Sequence, residues 1–199
     1  MSPGRENFAV LDWASAASQR KRFEVLVANV PLRGRSLLDV GCGLGDLLAY
    51  LAERGIDLAY TGVDVLARMV AACRERFGGV RGRFVQADVF ADASFGREGF
   101  DVVFASGIFN LDLGNNREFL PVALRRLLEL SREHVAANFL HVRARGRDKG
   151  YFFYDPDEVL AILDGEPCEV RLIDDYLRND FTVICRKPVA AEQAEGRRQ

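Results

Sequence analysis

Apolar positions along this chain recur at two spacings, one helical and one alternating, and the switches between them mark out the elements. From residue 8 to residue 30 the spacing is helical, with Phe23, Leu26, Val27 and Val30 on one face, and Pro31 and Gly34 end the run. A short apolar stretch at 36–40 predicts a strand, and 44–54 predicts a helix closed by Gly55. The alternation continues with a strand at 59–63, a helix at 66–77 stopped by Gly78 and Gly79, and strands at 83–86 and 100–105. A helix at 117–130 leads to a strand at 135–140, and Asp155-Pro156 opens another helix with proline at its first position, where the missing N–H costs nothing. The end of the chain differs. Residues 168–173 and 181–185 both read as strands, and the few residues between them suit a hairpin but cannot hold a helical crossover. The pattern predicts an α/β fold: a three-layer sandwich around a seven-stranded, mostly parallel sheet whose last strand is antiparallel.

Composition narrows this picture. A chain of 199 residues, 49% hydrophobic and 28% charged, suits one α/β domain with some decoration. Its net charge of -2 exerts no global pull on nucleic acid or anionic membranes. Cys42, Cys73, Cys168 and Cys185 form no CxxC pair and have no histidine cluster nearby, so buried free thiols are expected, with no metal site. No apolar run approaches the roughly 20 residues that span a bilayer, and the first ten residues lack a signal core. A cytoplasmic protein without membrane attachment is the expectation.

The densest chemical signal is Asp39-Val40-Gly41-Cys42-Gly43-Leu44-Gly45-Asp46, a strand end running through a glycine-rich turn into a helix. Glycines allow left-handed backbone and close approach of a ligand, and the helix start offers unpaired N–H groups. Asp39 ends the strand, where its carboxylate can reach a cationic amine directly or through water. A dinucleotide-binding turn reads G-x-G-x-x-G/A, but here the last position is Asp46, a carboxylate where a pyrophosphate would need to sit. The turn therefore disfavours NAD and fits a cofactor with an amino-acid moiety and no phosphate.

On these residues the sequence resembles the class I S-adenosylmethionine-dependent methyltransferases, over about 37–186. The resemblance implies a Rossmann-like fold, methyl transfer, and S-adenosylmethionine as cofactor. It also implies that Asp64, at the end of the second strand, accepts hydrogen bonds from both ribose hydroxyls, with Val65 beside it; the alternative is that Asp64 only caps the following helix. Asp88 resembles the residue that meets the adenine amino group, flanked by the backbone N–H and side chain of Val89, unless it is an ordinary loop aspartate. Ala105 and Ser106 end the fourth strand, where the family brings backbone close to the methionine end of the cofactor, and Met69 and Leu66 line the adenine or ribose pocket or belong to the core.

Residues for the methyl acceptor are harder to read, because in-line displacement at a sulfonium methyl relies mainly on alignment and desolvation. A base is needed only when the nucleophile arrives protonated. Candidates are Asn110, His141 and Tyr154, the last in the aromatic run 151–154. His141 stands at a strand's carboxyl end and reads either as a base or as a hydrogen-bonded structural residue. Arg143, Arg145, Arg147 and Lys149 read either as a grip on an anionic substrate or as a solvated loop. No Asn-Pro-Pro-Tyr motif follows the fourth strand, where the chain reads Ser106-Gly-Ile-Phe, so a small-molecule acceptor is favoured over nucleic acid. RNA or protein as acceptor, and a non-catalytic cofactor-binding module, are the alternatives. The domain reading is an N-terminal helical lid segment at 1–34, including Phe8 and Trp13, a methyltransferase domain at 35–187, and a flexible tail at 188–199.

Overall fold

In the computed structural model, residues 16–78, 82–92, 94–97, 99–145 and 147–188 are described. Phe8 and Trp13 of the expected lid, and 189–199 of the expected tail, lie outside the described residues. Seven strands form one sheet in the order β3-β2-β1-β4-β5-β7-β6. They are β1 (Ser36–Val40), β2 (Ala59–Asp64), β3 (Arg83–Gln86), β4 (Phe100–Ser106), β5 (Ser131–Leu140), β6 (Glu169–Ile173) and β7 (Asp180–Arg186). Pairings from β3 across to β5 are parallel, whereas β7 runs antiparallel to both β5 and β6. The terminal hairpin inserts its second strand into the sheet and leaves its first at the edge, so six strands share one direction, as the short connection requires.

The helices are α1 (Ala16–Asn29), α2 (Asp46–Glu53), α3 (Ala67–Phe77), α4 (Asn116–Leu130) and α5 (Pro156–Leu163). Because strand side chains alternate, each central strand feeds two cores. Leu37, Val102, Phe104, Ala136 and Ile184 join Phe23 of α1, Leu47 of α2 and Val70 of α3 on one face. Leu38, Val103, Ala105, Val135 and Val183 meet Leu124 and Leu127 of α4 and Val159 of α5 on the other. Asp155 caps α5, its side chain accepting from the Asp157 N–H, with Pro156 just inside the helix. Among the described residues, no helix is long and apolar enough to cross a membrane, and no group of three or more His, Cys, Asp or Glu side chains is placed to hold a metal ion.

The sheet corrects one boundary. β5 starts at Ser131, directly after α4, and not at Val135. Its first residues are polar because they make ion pairs at the sheet's lower end: Arg132 Nε lies 2.9 Å from Asp101 Oδ1, and Glu133 pairs with Arg35. An apolar alternation cannot reveal a strand whose opening residues are chosen for charge.

One long-range contact fixes α1 on the sheet. Arg22 donates to both carboxylate oxygens of Asp180, at 2.6 and 3.2 Å, and both side chains are almost fully buried. Losing one partner of a buried pair leaves a desolvated charge, which costs more than the pair itself contributes. Asp180→Ala is therefore expected to lower unfolding free energy by about 3–5 kcal/mol, whereas the double replacement Arg22→Met/Asp180→Leu should recover most of that loss. Denaturant titration measures both, and a cost below about 1 kcal/mol for Asp180→Ala would show that α1 docks by other means.

Candidate active site

The chain leaves β1 toward one face and β4 toward the other, and at this switch point the carboxyl ends of the strands open a crevice. A cavity of about 520 Å³ fills it. Its floor is the glycine turn. Gly41, Gly43 and Gly45 have φ of 74°, 55° and 75°, a region that glycine alone enters without strain. The Gly41 and Cys42 N–H groups both donate to the Val63 carbonyl, holding the turn against β2.

Two of these glycines spend their missing Cβ on protein contacts. A Cβ on Gly41 would sit 2.2 Å from Cγ2 of Ile108, and one on Gly45 would sit 2.6 Å from Phe77 and 3.3 Å from Cys73. Gly45 is accordingly a helix-packing position and is not among the residues that line the cavity. Cys42 does line it. The Cys73 thiol beside it and its burial push the Cys42 thiol well above the usual range, so it stays protonated.

Three expected carboxylates stand around the cavity, one after each of three neighbouring strands or at its end. Asp64 accepts from the Gly43 N–H through Oδ2 at 3.0 Å and from the Leu66 N–H through Oδ1 at 2.8 Å. The Leu66 bond closes a turn ahead of α3, whose N-cap Leu66 has no side-chain cap bond, so Asp64 does not cap the helix; a carboxylate offers about four acceptor sites, and two remain for a ligand. Asp88 turns its own loop, with Oδ1 accepting from the Phe90 N–H at 2.9 Å.

Asp39 is the deepest of the three. It is buried, and Tyr60 donates its hydroxyl to Oδ2 at 2.5 Å. Burial pushes its carboxyl up to about 7; the Tyr60 bond works against this, and the charges of Asp64 and Asp46 add to it. Asp46, at the start of α2, also faces the cavity, and its carboxylate is held by Arg76 at 2.7 Å and by Gln19 of α1 at 3.3 Å.

Val65, Met69 and Val89 line the cavity, Val65 as an exposed residue and the other two buried. Ser106 lines it as well, whereas Ala105 is fully buried in the core and does not. Of the acceptor-side candidates, Asn110 lines the cavity, and His141 and Tyr154 do not. Tyr154 is fully buried, its hydroxyl accepting from Asn116 Nδ2 at 3.3 Å. The His141 ring packs against Phe181, and its Nδ1 accepts from the Arg143 N–H. Burial, with help from Arg143, lowers its pKa below the ordinary histidine value.

The basic loop does not reach the cavity either. Arg143 bonds Asp174 and the Arg178 carbonyl, tying its loop to the β6–β7 hairpin, and Arg147 lies over the Phe153 ring.

Sequence reasoning missed several parts of the site. Gln19 and Phe23 of α1 line the cavity, carried there by the Arg22–Asp180 pair. Ile108 and Phe119 supply apolar wall. Asn116, buried at the start of α4, receives the Leu113 N–H and donates to the Leu111 carbonyl, so one side chain sets the course of the loop after β4. Its bonds reach back into the loop, which no spacing rule conveys.

These features match known proteins. Residues 37–133 match a family model described as a methyltransferase domain. The chain is 34% identical to a putative methyltransferase, Rv1506c, of Mycobacterium tuberculosis, over 76% of this chain and 93% of that one. Two longer relatives match about half of this chain. A ribosomal RNA small subunit methyltransferase C of Chromohalobacter salexigens is 36% identical over 53% of this chain and 32% of its own length. A trans-aconitate 2-methyltransferase of Paracidovorax citrulli is 33% identical over 55% of this chain and 44% of its own. In fold, the chain superimposes on magnesium protoporphyrin IX methyltransferase of Synechocystis PCC 6803 with bound SAH, with a TM-score of 0.69, 16% identity and coverage of 94% and 90%. The chain belongs to the class I S-adenosylmethionine-dependent methyltransferases.

Proposed function

We propose that the protein methylates a small molecule, and that the carboxylates at the switch point hold S-adenosylmethionine. The observation that carries this reading is the charge of the cavity wall: among the described residues Asp39, Asp46, Asp64 and Asp88 line it, against one lining cation, Arg68. Such a wall suits a ligand with a sulfonium and an ammonium group and repels a pyrophosphate. On this reading Asp39 faces the ammonium, Asp64 uses its two spare acceptor sites for the ribose hydroxyls, and Asp88 with Val89 meets the adenine edge. Gly41, Cys42 and Gly43 form the floor, and Val65 and Met69 flank the nucleoside. Gly45 and Ala105 support the site from behind, and Ser106 stands at the methyl end.

Gln19 and Phe23 bring α1 over the cavity as a partial lid. His141 and Tyr154 hold the loops together and take no part in the chemistry. A small acceptor is supported by the apolar wall beyond the cofactor region, formed by Ile108, Leu111, Leu113 and Phe119, and by relatives such as the trans-aconitate enzyme. The four free cysteines suit a reducing cytoplasm.

Thermal unfolding with S-adenosylmethionine, S-adenosylhomocysteine and NAD tests the cofactor assignment. Each adenosyl ligand at 100 times its dissociation constant should stabilise by about 2.7 kcal/mol, roughly 5–10 °C for a domain of this size. NAD should give no shift; the same shift with NAD, or none with either adenosyl ligand, would overturn the assignment. For Asp64→Ala, calorimetry should show S-adenosylhomocysteine binding weakened about 30-fold or more, the loss of two hydrogen bonds to a charged acceptor. A folded variant with unchanged affinity would remove Asp64 from that role.

A further inference from the structure

Beyond the cofactor carboxylates, Asn110 is a cavity residue whose amide has no task in the fold among the described residues. Asn110 lines the cavity, yet its Oδ1 is buried without a hydrogen-bond partner and its side chain makes no bond among the described residues. Its backbone, by contrast, is fully engaged: the N–H donates to the Gly107 carbonyl, and the carbonyl accepts from the Phe152 N–H at 2.8 Å. An unpaired buried acceptor is a cost to the fold that a hydrogen-bonding partner removes. The last torsion of asparagine is soft, so the amide turns without moving the loop.

The loop itself is held firmly. Asp112 donates its N–H to the Gly150 carbonyl, and Leu111 bridges to Tyr151, zipping 110–112 to 150–152. Asn116 anchors the loop from below. Ile108 packs so closely on Gly41 that no Cβ fits between them, which places Asn110, two residues further on, at a set position from the glycine turn. Around Asn110 the wall is apolar, with Leu111 and Leu113 exposed and Phe119 and Tyr151 nearby in the same cavity. Neither Arg143 nor Arg147 is among the lining residues, and the lining cation Arg68 stands on α3, next to Met69.

We infer that this arm is the methyl-acceptor site, that it takes an uncharged, apolar small molecule bearing a hydroxyl or amine nucleophile, and that Asn110 Oδ1 accepts the hydrogen of that nucleophile. The inference rests on the cofactor reading above. In the reaction, the nucleophile's lone pair forms a bond to the sulfonium methyl carbon as the carbon–sulfur bond breaks. Its electron pair stays on sulfur, leaving the neutral thioether, and the nucleophile's proton passes to water at the cavity mouth. Asn110 aligns the nucleophile; an amide cannot take the proton, so no general base is assigned to it.

Calorimetry on the full chain saturated with S-adenosylhomocysteine tests the inference with four matched probes: 2-naphthol, 2-naphthylamine, 2-methoxynaphthalene and 2-naphthoate. The naphthol or the naphthylamine should bind about tenfold tighter than the methyl ether, which lacks the donor, and than the charged carboxylate; which of the two binds better identifies the nucleophile. In Asn110→Leu the gap between donor probe and ether should vanish, while S-adenosylhomocysteine affinity stays within about twofold. Equal binding of donor and ether in the unmodified protein, preference for the carboxylate, or no binding by any probe would overturn the proposal. So would a loss of S-adenosylhomocysteine affinity in Asn110→Leu, which would give the residue to the cofactor. Failure of the unmodified protein to bind S-adenosylhomocysteine at all would instead refute the cofactor reading on which the proposal stands.

Discussion

A carboxylate taken out of water needs a countercharge, and Asp39 is buried with one neutral side-chain donor, Tyr60, among the described residues. Its neighbours make the position worse, since Asp46 and Asp64 both repel its charge. The direction of the linkage follows from its carboxyl being raised to about 7. Between the ordinary carboxylate range and that value the folded protein keeps a proton that the unfolded chain has released, so this residue makes the fold less stable as pH rises through that window. A cationic ligand reverses the balance by favouring the ionised form. The site therefore carries a cost in the free protein, and on the proposed assignment the ammonium group of the cofactor relieves it.

The second constraint is mechanical. The glycine turn and the loop after β4 meet where Ile108 fills the space of a Gly41 side chain. That loop is zipped to 150–152 and pinned by Asn116, and α1 is clamped to β7 by Arg22 and Asp180. The cavity walls are thus set by contacts outside the cavity, in keeping with the rule that a reacting geometry is only as precise as its supporting shell.

Much of this was legible locally. The glycine turn, the aspartates ending β2 and following β3, and the short connection that forces an antiparallel last strand are all patterns of a few adjacent residues. What escaped is non-local. Arg22 and Asp180 are 158 positions apart, and nothing in either segment names the other. The glycines were expected to make room for a ligand, but Gly41 and Gly45 make room for Ile108 and Phe77. His141 follows a strand's carboxyl end and so pointed to the crevice; its bridge to Tyr154 places it under the loops instead, outside the cavity lining. Asn110 stands out in the sequence only by its position after the fourth strand, and the unpaired Oδ1 is visible only in the folded chain.

The most direct test of this account is the titration of the Asp39 carboxyl itself, followed by its carbon-13 resonance with and without S-adenosylhomocysteine, which retains the ammonium group. The account predicts a midpoint near 7 in the free protein, falling toward the ordinary aspartate range of about 4 when the ligand is bound. A midpoint already near 4 in the free protein, or one that the ligand leaves unmoved, would contradict it.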